Sequence, residues 1–458
     1  MSSTPNLRRL CAALALLALV LLYLTFLGRS GLLLPDEPRY AAIGKAMSDS
    51  GDWVTPRLWG NAWFEKPPLV YWMAASFFRL GFGLEWAPRL PVALLAVGFL
   101  IFLFWWVRRE YTARAAWFAS IILATSAGWF AFGHVAVTDL PLSVFFSLAM
   151  LLAFREGAWS RNCAGIALGL AILAKALVPV VLFLPALWFL RRRWKDALWI
   201  FGIAAVFALP WFLVCFSRNG MPFFDDLIWK QHFARFLTPS LQHVQRFWFY
   251  IPVLLGGLFP WTPAAALLVG KDRYRDRRNA FLLAWFLFGF LFFSASMNKL
   301  PGYLLPLLPP VTILAGVRLD QMRRPGVLLA ITALLAGASP ALNGALPQAL
   351  VSGARRAEWR LPWEAILLAL AAAAAVLWMS HKGKTAIAFG IPVAIMLAAY
   401  GQFLIAGLPV LDRAVSGRRI WQDSLSRQDN PSVSNLNRSV RYSVCYYANG
   451  RIPDCPSK

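Results

Sequence analysis

The sequence predicts an all-α polytopic membrane protein of about 13 transmembrane helices, with interfacial helices in the first outer loop and a small C-terminal tail of α or mixed α/β structure. Three observations lead there. Of 458 residues, 59% are hydrophobic and 14% charged, and mean hydropathy is +0.58, whereas a soluble domain is about a quarter charged. Apolar stretches of about 20 residues recur from end to end, each long enough to cross a hydrocarbon core as a helix. The chain also carries 22 tryptophans, the residue whose ring settles at lipid headgroups.

The formal charge of +24 could suggest nucleic acid, but its placement argues otherwise. The basic residues fall in short knots between apolar runs: Arg8-Arg9, Arg108-Arg109, Arg191-Arg192-Arg193, Lys271 to Arg278, Arg323-Arg324, Lys382 and Lys384. Knots on alternate loops are the cytoplasmic orientation signal, so no nucleic-acid partner is expected.

Taken in order, the first apolar run, Leu10 to Leu27, exceeds a usual signal-peptide core, and no small-residue cleavage site precedes Asp36. It reads as a retained first span, about 7–28, leaving a basic N-terminus inside. A long outer loop follows, about 29–86. Within it Leu69 to Gly83 is apolar but about 15 residues long and contains Arg79. It is expected to lie in the outer interface with Trp72 and Arg79 near the headgroups. Spans then fit at about 87–107, 113–131, 140–154, 162–176, 177–190, 196–216, 246–269, 280–297, 301–317, 325–345, 363–380 and 385–407. That makes thirteen, giving a membrane domain over 1–408 and an outer tail over 409–458.

Cysteine usage agrees. Cys11, Cys163 and Cys215 lie in apolar runs, where cysteine is a small buried hydrophobe. Cys445 and Cys455 lie in the polar tail, ten residues apart, and a disulfide between them suits an oxidising compartment. The alternation Ser439-Val440-Arg441-Tyr442-Ser443-Val444 suggests a strand.

Polar residues gather on the outer side. The first loop reads Leu34-Pro35-Asp36-Glu37-Pro38-Arg39-Tyr40, then Gly51-Asp52-Trp53-Val54-Thr55-Pro56-Arg57-Leu58, then Trp63-Phe64-Glu65-Lys66-Pro67-Pro68. A merely solvated loop would carry charges too; ion pairs flanked by prolines and set among aromatics point to a built site. The second outer turn holds His134 and Thr138-Asp139-Leu140-Pro141, where Asp139 could simply cap a helix. Later loops carry Gln231-His232-Phe233-Ala234-Arg235-Phe236 and Asn298-Lys299-Leu300-Pro301-Gly302-Tyr303. Together they offer carboxylates, a Glu/His pair able to bind a metal, and several cations. Cations at membrane depth suit a lipid-borne phosphate. No Walker loop, dinucleotide fingerprint or zinc-protease helix is present. A transferase on the outer face has no nucleotide sugar at hand, so its activated donor must be dissolved in the bilayer, as a polyprenyl phosphate sugar is.

Asp-Glu-Pro-Arg-Tyr, Gly-Asp-Trp-Val-x-Pro-Arg-Leu and Phe-Glu-Lys-Pro-Pro-Leu-x-Tyr-Trp, with Thr138-Asp139-Leu140-Pro141, Leu173-Ala174-Lys175, His232 with Arg235-Phe236, and Lys299-Leu300-Pro301-x-Tyr303, resemble the bacterial aminoarabinose transferases of lipid A. These are grouped with the protein O-mannosyltransferases among the C-type glycosyltransferases. The resemblance implies catalytic carboxylates at Asp36 and Asp139 and donor-phosphate contacts at Arg39, Lys66 and Tyr303. It further implies a divalent metal, zinc, at Glu65 and His232, with Glu37, Tyr40 and Lys299 as further substrate-loop candidates. The chain departs from the family at the short tail and at Leu173-Ala174-Lys175-Ala176, where the family more usually has Thr-Lys-Gly.

The implied activity is inverting transfer of a pentose or hexose from an undecaprenyl monophosphate carrier to lipid A or another cell-envelope glycolipid. The expected setting is the bacterial inner (plasma) membrane, with the site periplasmic and the protein monomeric among membrane lipids. The alternatives are polyprenyl-phosphate-dependent O-glycosylation of protein, as a mannosyltransferase does, and, from another class, lipid or solute transport. Transporters place ionisable residues near the midplane and show repeat symmetry, and neither is seen here.

Overall fold

The computed structural model describes residues 5–238, 244–270, 274–353, 356–427, 431–452 and 455. Helices dominate: α1 (Pro5–Leu24), α2 (Asp36–Ser50), α3 (Leu69–Arg79), α4 (Trp86–Glu110), α5 (Ala113–Thr125), α6 (Ala127–Gly133), α7 (Asp139–Phe154) and α8 (Ala158–Lys175). Next come α9 (Val178–Leu182), α10 (Leu184–Leu190), α11 (Trp194–Asn219), α12 (Met221–Phe224), α13 (Arg235–Leu237), α14 (Tyr250–Leu258), α15 (Arg277–Ala295) and α16 (Leu308–Gln321). The last are α17 (Gly326–Gly337), α18 (Ser339–Ser352), α19 (Trp363–His381), α20 (Thr385–Gln402), α21 (Leu408–Val415), α22 (Arg418–Arg427) and α23 (Arg438–Tyr447). A two-residue hairpin, β1 (Arg57–Leu58) with β2 (Asn61–Ala62), is the one sheet among the described residues.

Six helical runs among the described residues are long and apolar enough to cross a bilayer, or up to nine if each of three bent pairs is one span. The longest, Leu184–Asn219, is not one rod. α8 and α11 run parallel: Arg161 pairs with Asp196 at 2.9 Å, Gly165 abuts Ile200 and Ile203, and Gly169 abuts Ala204 and Phe207. The chain from the end of α8 to the start of α11 must therefore travel back the length of α8, and it does so through α9 and α10, reversing at the Arg191–Arg193 turn. The sequence expectation of separate crossings over 177–190 and 196–216 follows the same path. Close approach needs the small residues: a Cβ on Gly165 would sit 2.7 Å from the Ile203 Cβ, the geometry small-xxx-small spacing permits.

Other runs expected to be straight are broken. α5 and α6 bend by 61°, and Phe247–Leu258 bends by 116° into the 3-10 turn Thr262–Leu268, where Pro260 and Pro263 cannot continue a helix. Breaks leave backbone groups that lipid cannot satisfy. Here the two breaks satisfy each other: Ala127 N–H donates to the Phe259 carbonyl at 2.9 Å and Trp261 Nε1 donates to Thr125 Oγ1 at 2.8 Å. The carbonyls freed at the end of α5 accept from tyrosine hydroxyls, Ala124 from Tyr23 (2.7 Å) and Thr125 from Tyr400 (2.9 Å).

In the first loop, α2 starts with two acids, which favour the helix dipole, and stops at Gly51, whose φ of +73° makes the left-handed cap. Eleven residues make α3 only about 16 Å long, too short to span, in line with an interfacial helix. Its Trp72 donates to the Trp53 carbonyl at 2.7 Å, and Arg79 lies 5.1 Å over the Trp53 ring, so Trp53 meets both residues expected at headgroups.

The tail differs from expectation in one respect. Ser439 to Val444 is not a strand but part of α23. The period-two alternation is too short to outweigh a helical one: Val440 with Val444, and Tyr442 with Tyr446, stack four apart and are buried. Asn437 caps the start by accepting from Val440 N–H. Cys445 and Cys455 are joined as a disulfide. Of the other cysteines, Cys215 is buried and Cys163 half-buried, while for Cys11 only the backbone is described. The helical run Thr385–Val415 carries through residue 408 before the tail turns onto the first loop. There Ser443 Oγ donates to Leu32 O (3.2 Å), Tyr446 Oη to Leu84 O (2.7 Å) and Tyr447 Oη to Glu85 (3.1 Å).

One buried ion pair locks these parts together. Arg89, at the start of α4, donates from Nε and Nη2 to the two Glu37 oxygens at 2.7 and 2.8 Å. It also donates to the carbonyls of Leu27, Ser30 and Gly31. Glu37 accepts in addition from Leu33 N–H and Ala136 N–H. The side chains are 2% and 0% exposed, so removing one partner strands a buried charge. Arg89→Ala is expected to cost about 3–5 kcal/mol, read as a large drop in the detergent melting temperature; a drop of only a degree or two contradicts this account.

Candidate functional site

At the end of the bundle opposite the arginine turns, the first loop and three helix ends bring charged side chains together. On the first turn of α2, Asp36 and Arg39 are three residues apart and hydrogen-bonded. Arg39 also donates from Nη1 to Glu65 Oε2 at 2.9 Å and from Nε to the Pro35 carbonyl at 3.1 Å. Glu65 and Lys66 lie in a bend that leads into Pro67-Pro68, and Pro68 stands at the N-cap of α3. Lys66 Nζ lies 3.2 Å from Glu65 Oε1 and 3.4 Å from Gln231 Oε1. Gln231 in turn accepts from Arg235 Nη1 at 2.9 Å. Among the described residues Arg235 Nε is buried with no hydrogen-bond partner.

The second half of the site is carried by helix ends. Asp139, first residue of α7, accepts from Lys175 Nζ at 2.7 Å, the last residue of antiparallel α8. Lys175 Nζ is 4.4 Å from the centroid of the Tyr303 ring, and the Arg235 guanidinium 6.0 Å from it, so Tyr303 joins the two halves through cation–π contact. Gly302 is required beside it: a Cβ there would fall 2.7 Å from Asp139 Cγ. α8 ends at Ala176, whose φ of +45° is strained for any residue with a Cβ; a glycine, as in the resembling family, would relieve it.

Four cations (Arg39, Lys66, Lys175, Arg235) thus meet three carboxylates (Asp36, Glu65, Asp139), leaving one positive charge in excess. Burial drives the Lys66 ammonium down to about 8, opposed by Glu65 and reinforced by Arg235 and Lys175. Burial also works against ionising Glu65, but Lys66, Arg39 and Arg235 outweigh it and hold the carboxyl below its usual range. The excess positive charge is complementary to an anion such as phosphate or sulfate, which would gain charge-assisted hydrogen bonds there.

The expected metal pair does not fit a divalent cation here. Both Glu65 oxygens accept from cations. Burial pushes His232 down to about 4, and its neutral ring is spent on backbone, Nδ1 donating to Leu227 O (2.9 Å) and Nε2 accepting from Leu177 N–H (3.2 Å). Among the described residues no group of three or more His, Cys, Asp or Glu could hold a metal ion. His232 instead clasps the α8–α9 corner that carries Lys175.

Other expected residues lie nearby with different partners. Glu37 is taken up by Arg89. Tyr40 is buried edge-on against Tyr71 (5.7 Å) with its hydroxyl 3.5 Å from Glu65. Lys299 donates to the carbonyls of Gln245 (3.1 Å) and Ser296. Lys175, Gln231 and Arg235 were not expected as site residues. Lys175 had a signal, as the lone ionisable residue of the apolar run 162–176.

A sequence model described as dolichyl-phosphate-mannose-protein mannosyltransferase matches residues 65–217. The chain is 35% identical over 344 residues to an undecaprenyl phosphate-alpha-4-amino-4-deoxy-L-arabinose arabinosyl transferase of Pseudomonas fluorescens, over 69% of this chain and 57% of the relative. It is 35% identical over 350 residues to the Pseudomonas aeruginosa transferase of the same name, over 70% of this chain and 61% of the relative. The chain therefore spans about three fifths of the length of these relatives. Its fold is similar to the crystal structure of ArnT from Cupriavidus metallidurans bound to undecaprenyl phosphate, with a TM-score of 0.78 at 25% identity, covering 96% of this chain and 85% of that one.

Any anion held by Lys66 is expected to bind in a pH-dependent way, because its ammonium is depressed. Below about 8 it is charged; above, it loses its proton, and at pH 9 only about a tenth remains charged. Sulfate, whose own charge is constant in this range, is expected to bind more weakly as pH rises through 8, and Lys66→Arg should flatten the profile. Unchanged sulfate affinity from pH 7 to 9.5 in the wild type contradicts it.

Proposed function

We propose, from its similarity to the aminoarabinose transferases in sequence and fold, that the chain is an inverting glycosyltransferase using an undecaprenyl monophosphate sugar. The sugar we infer is the aminodeoxyarabinose of its relatives' names, and the acceptor lipid A or another cell-envelope glycolipid. The site would face the periplasm, with the N-terminus inside, thirteen spans within 1–408 and the tail 409–458 outside. The arginine knots at the opposite end of the bundle support that orientation.

One observation carries the reading: four cations against three carboxylates in a cluster that is largely buried and opens at Asp36. The donor is a phosphodiester with one negative charge; as the sugar leaves, the phosphate gains a second. A site with one excess positive charge and an unpartnered Arg235 Nε stabilises the departing phosphate more than the bound donor, which is what lowers a barrier. Lys66 and Arg235 would contact the phosphate, with Arg39 organising Glu65 and adding charge, and Tyr303 closing the wall. The bond between sugar C1 and the phosphate oxygen breaks with its electron pair going to phosphate, while an acceptor oxygen bonds C1 from the opposite face. An acceptor phosphate is already ionised and needs no base. For a hydroxyl acceptor, Asp36, 40% exposed against 18% for Asp139, is the better placed to take the proton, and Asp139, held by Lys175, would orient the sugar. These roles are filled by protein cations and carboxylates, so no metal is assigned a part.

The test is transfer by purified full-length protein in proteoliposomes holding undecaprenyl phosphate-aminoarabinose and lipid A, read by mass spectrometry. The expected product is lipid A heavier by one aminoarabinose. Arg39→Lys should lower transfer about ten- to a hundredfold at limiting donor, because an ammonium cannot bridge Asp36, Glu65 and Pro35 O as the guanidinium fork does. Lys66→Ala should fall similarly. No transfer from this donor to glycolipid, or wild-type turnover by Arg39→Lys, contradicts the proposal; modification of a co-reconstituted protein instead favours O-glycosylation.

A further inference from the structure

The Arg39 guanidinium is enclosed by three aromatic rings. Two come from the first loop: Tyr40, 5.9 Å to the ring centroid, and Trp63, 5.7 Å. The third and nearest is Tyr442, at 5.2 Å, some four hundred residues away on α23. Tyr442 is buried, in one apolar cluster with Tyr40, Trp63, Tyr71 and Tyr446, and Arg39 is only 5% exposed. α23 is pinned just after Tyr442. Ser443, Tyr446 and Tyr447 hydrogen-bond the first loop, and Cys445 is tied to Cys455. Further back, Asp412 accepts from Gly31 N–H at 2.7 Å and Arg418 donates to the Gly28 and Arg29 carbonyls. So much anchoring of a short tail serves to hold one face of α23 against the first turn of α2.

We propose that Tyr442 is a positioning residue for the phosphate site: α23 closes the aromatic enclosure of Arg39 and thereby sets the Arg39–Glu65–Lys66 chain. The inference rests on the donor reading above. A cation on a desolvated ring face is held in place, and excluding water strengthens its attraction for Glu65. Without the ring, Arg39 is solvated and free to swing, and Glu65 falls to Lys66 alone, tying up the ammonium needed for the anion. Tyr442 touches no reacting atom; its effect passes through Arg39, and the ring face rather than the hydroxyl supplies it.

The full-length protein in detergent is titrated with undecaprenyl phosphate, and affinity is read by tryptophan fluorescence for wild type, Tyr442→Phe and Tyr442→Leu, with the melting temperature of each recorded. Leucine keeps an apolar filler but removes the ring face; phenylalanine keeps the face. The expected result is wild-type affinity within about twofold for phenylalanine and about tenfold weaker binding for leucine, at melting temperatures close to wild type. Equal affinity in all three overturns the inference alone, as does equal weakening in both variants, which marks a packing or hydroxyl role. Failure of the wild type to bind undecaprenyl phosphate overturns the donor reading and this inference together.

Discussion

Glu37 and Arg89 meet at the point where the outer loop, the bundle and the tail converge, and the site depends on their pairing. A bidentate carboxylate–guanidinium bridge is geometrically strict, and this one is completed by three carbonyls and two backbone N–H groups. Because every donor and acceptor has its partner, the first turn of α2 has one orientation relative to α4 and to residue 136, just before α7. Asp36 and Arg39, on that same turn, inherit it. The functional end of the loop is thus tied to the membrane helices behind it, and charge preorganised there need not reorganise when a ligand arrives.

The same accounting runs through the interior. Sharp breaks in α5–α6 and after α14 would be untenable in lipid, yet the Phe259 carbonyl, the Ala127 amide and the Thr125 hydroxyl find partners in each other's break. Irregular backbone at this depth is tolerated only where protein satisfies it. The breaks and the 3-10 turn Pro301–Leu307 place Tyr303 and Gly302 against Asp139 instead of continuing as uniform spans.

Much of this was legible in the sequence. Run length marked a multi-pass helical membrane protein, of whose thirteen expected spans six to nine are long and apolar enough among the described residues, and the proline-flanked ion pairs marked the first loop. Helical spacing made Asp36 and Arg39 neighbours. What stayed hidden depends on tertiary contact. Glu37 looked like its neighbour Asp36, and only the distant Arg89 separates a structural acid from an open one. Glu65 and His232 suggested a metal because their residue types allow one; Arg39, Lys66 and the Leu177 amide, which claim their ligand atoms, are not visible in a one-dimensional pattern. Arg235 stood in a motif of the resemblance without a role and Gln231 read as polar loop, while Ser439 to Val444 alternated like a strand over too few residues to decide against the buried helical stripe.

The central claim is that a lipid phosphate enters the buried cluster of four cations and three carboxylates. It is tested most directly by the structure of the full-length protein with undecaprenyl phosphate bound. Phosphate oxygens are expected within about 3.2 Å of Lys66 Nζ and of the Arg235 guanidinium, with the Glu37–Arg89 pair unchanged. A phosphate bound elsewhere, with Lys66 still on Glu65 and Gln231 and Arg235 Nε still without a partner, would contradict it.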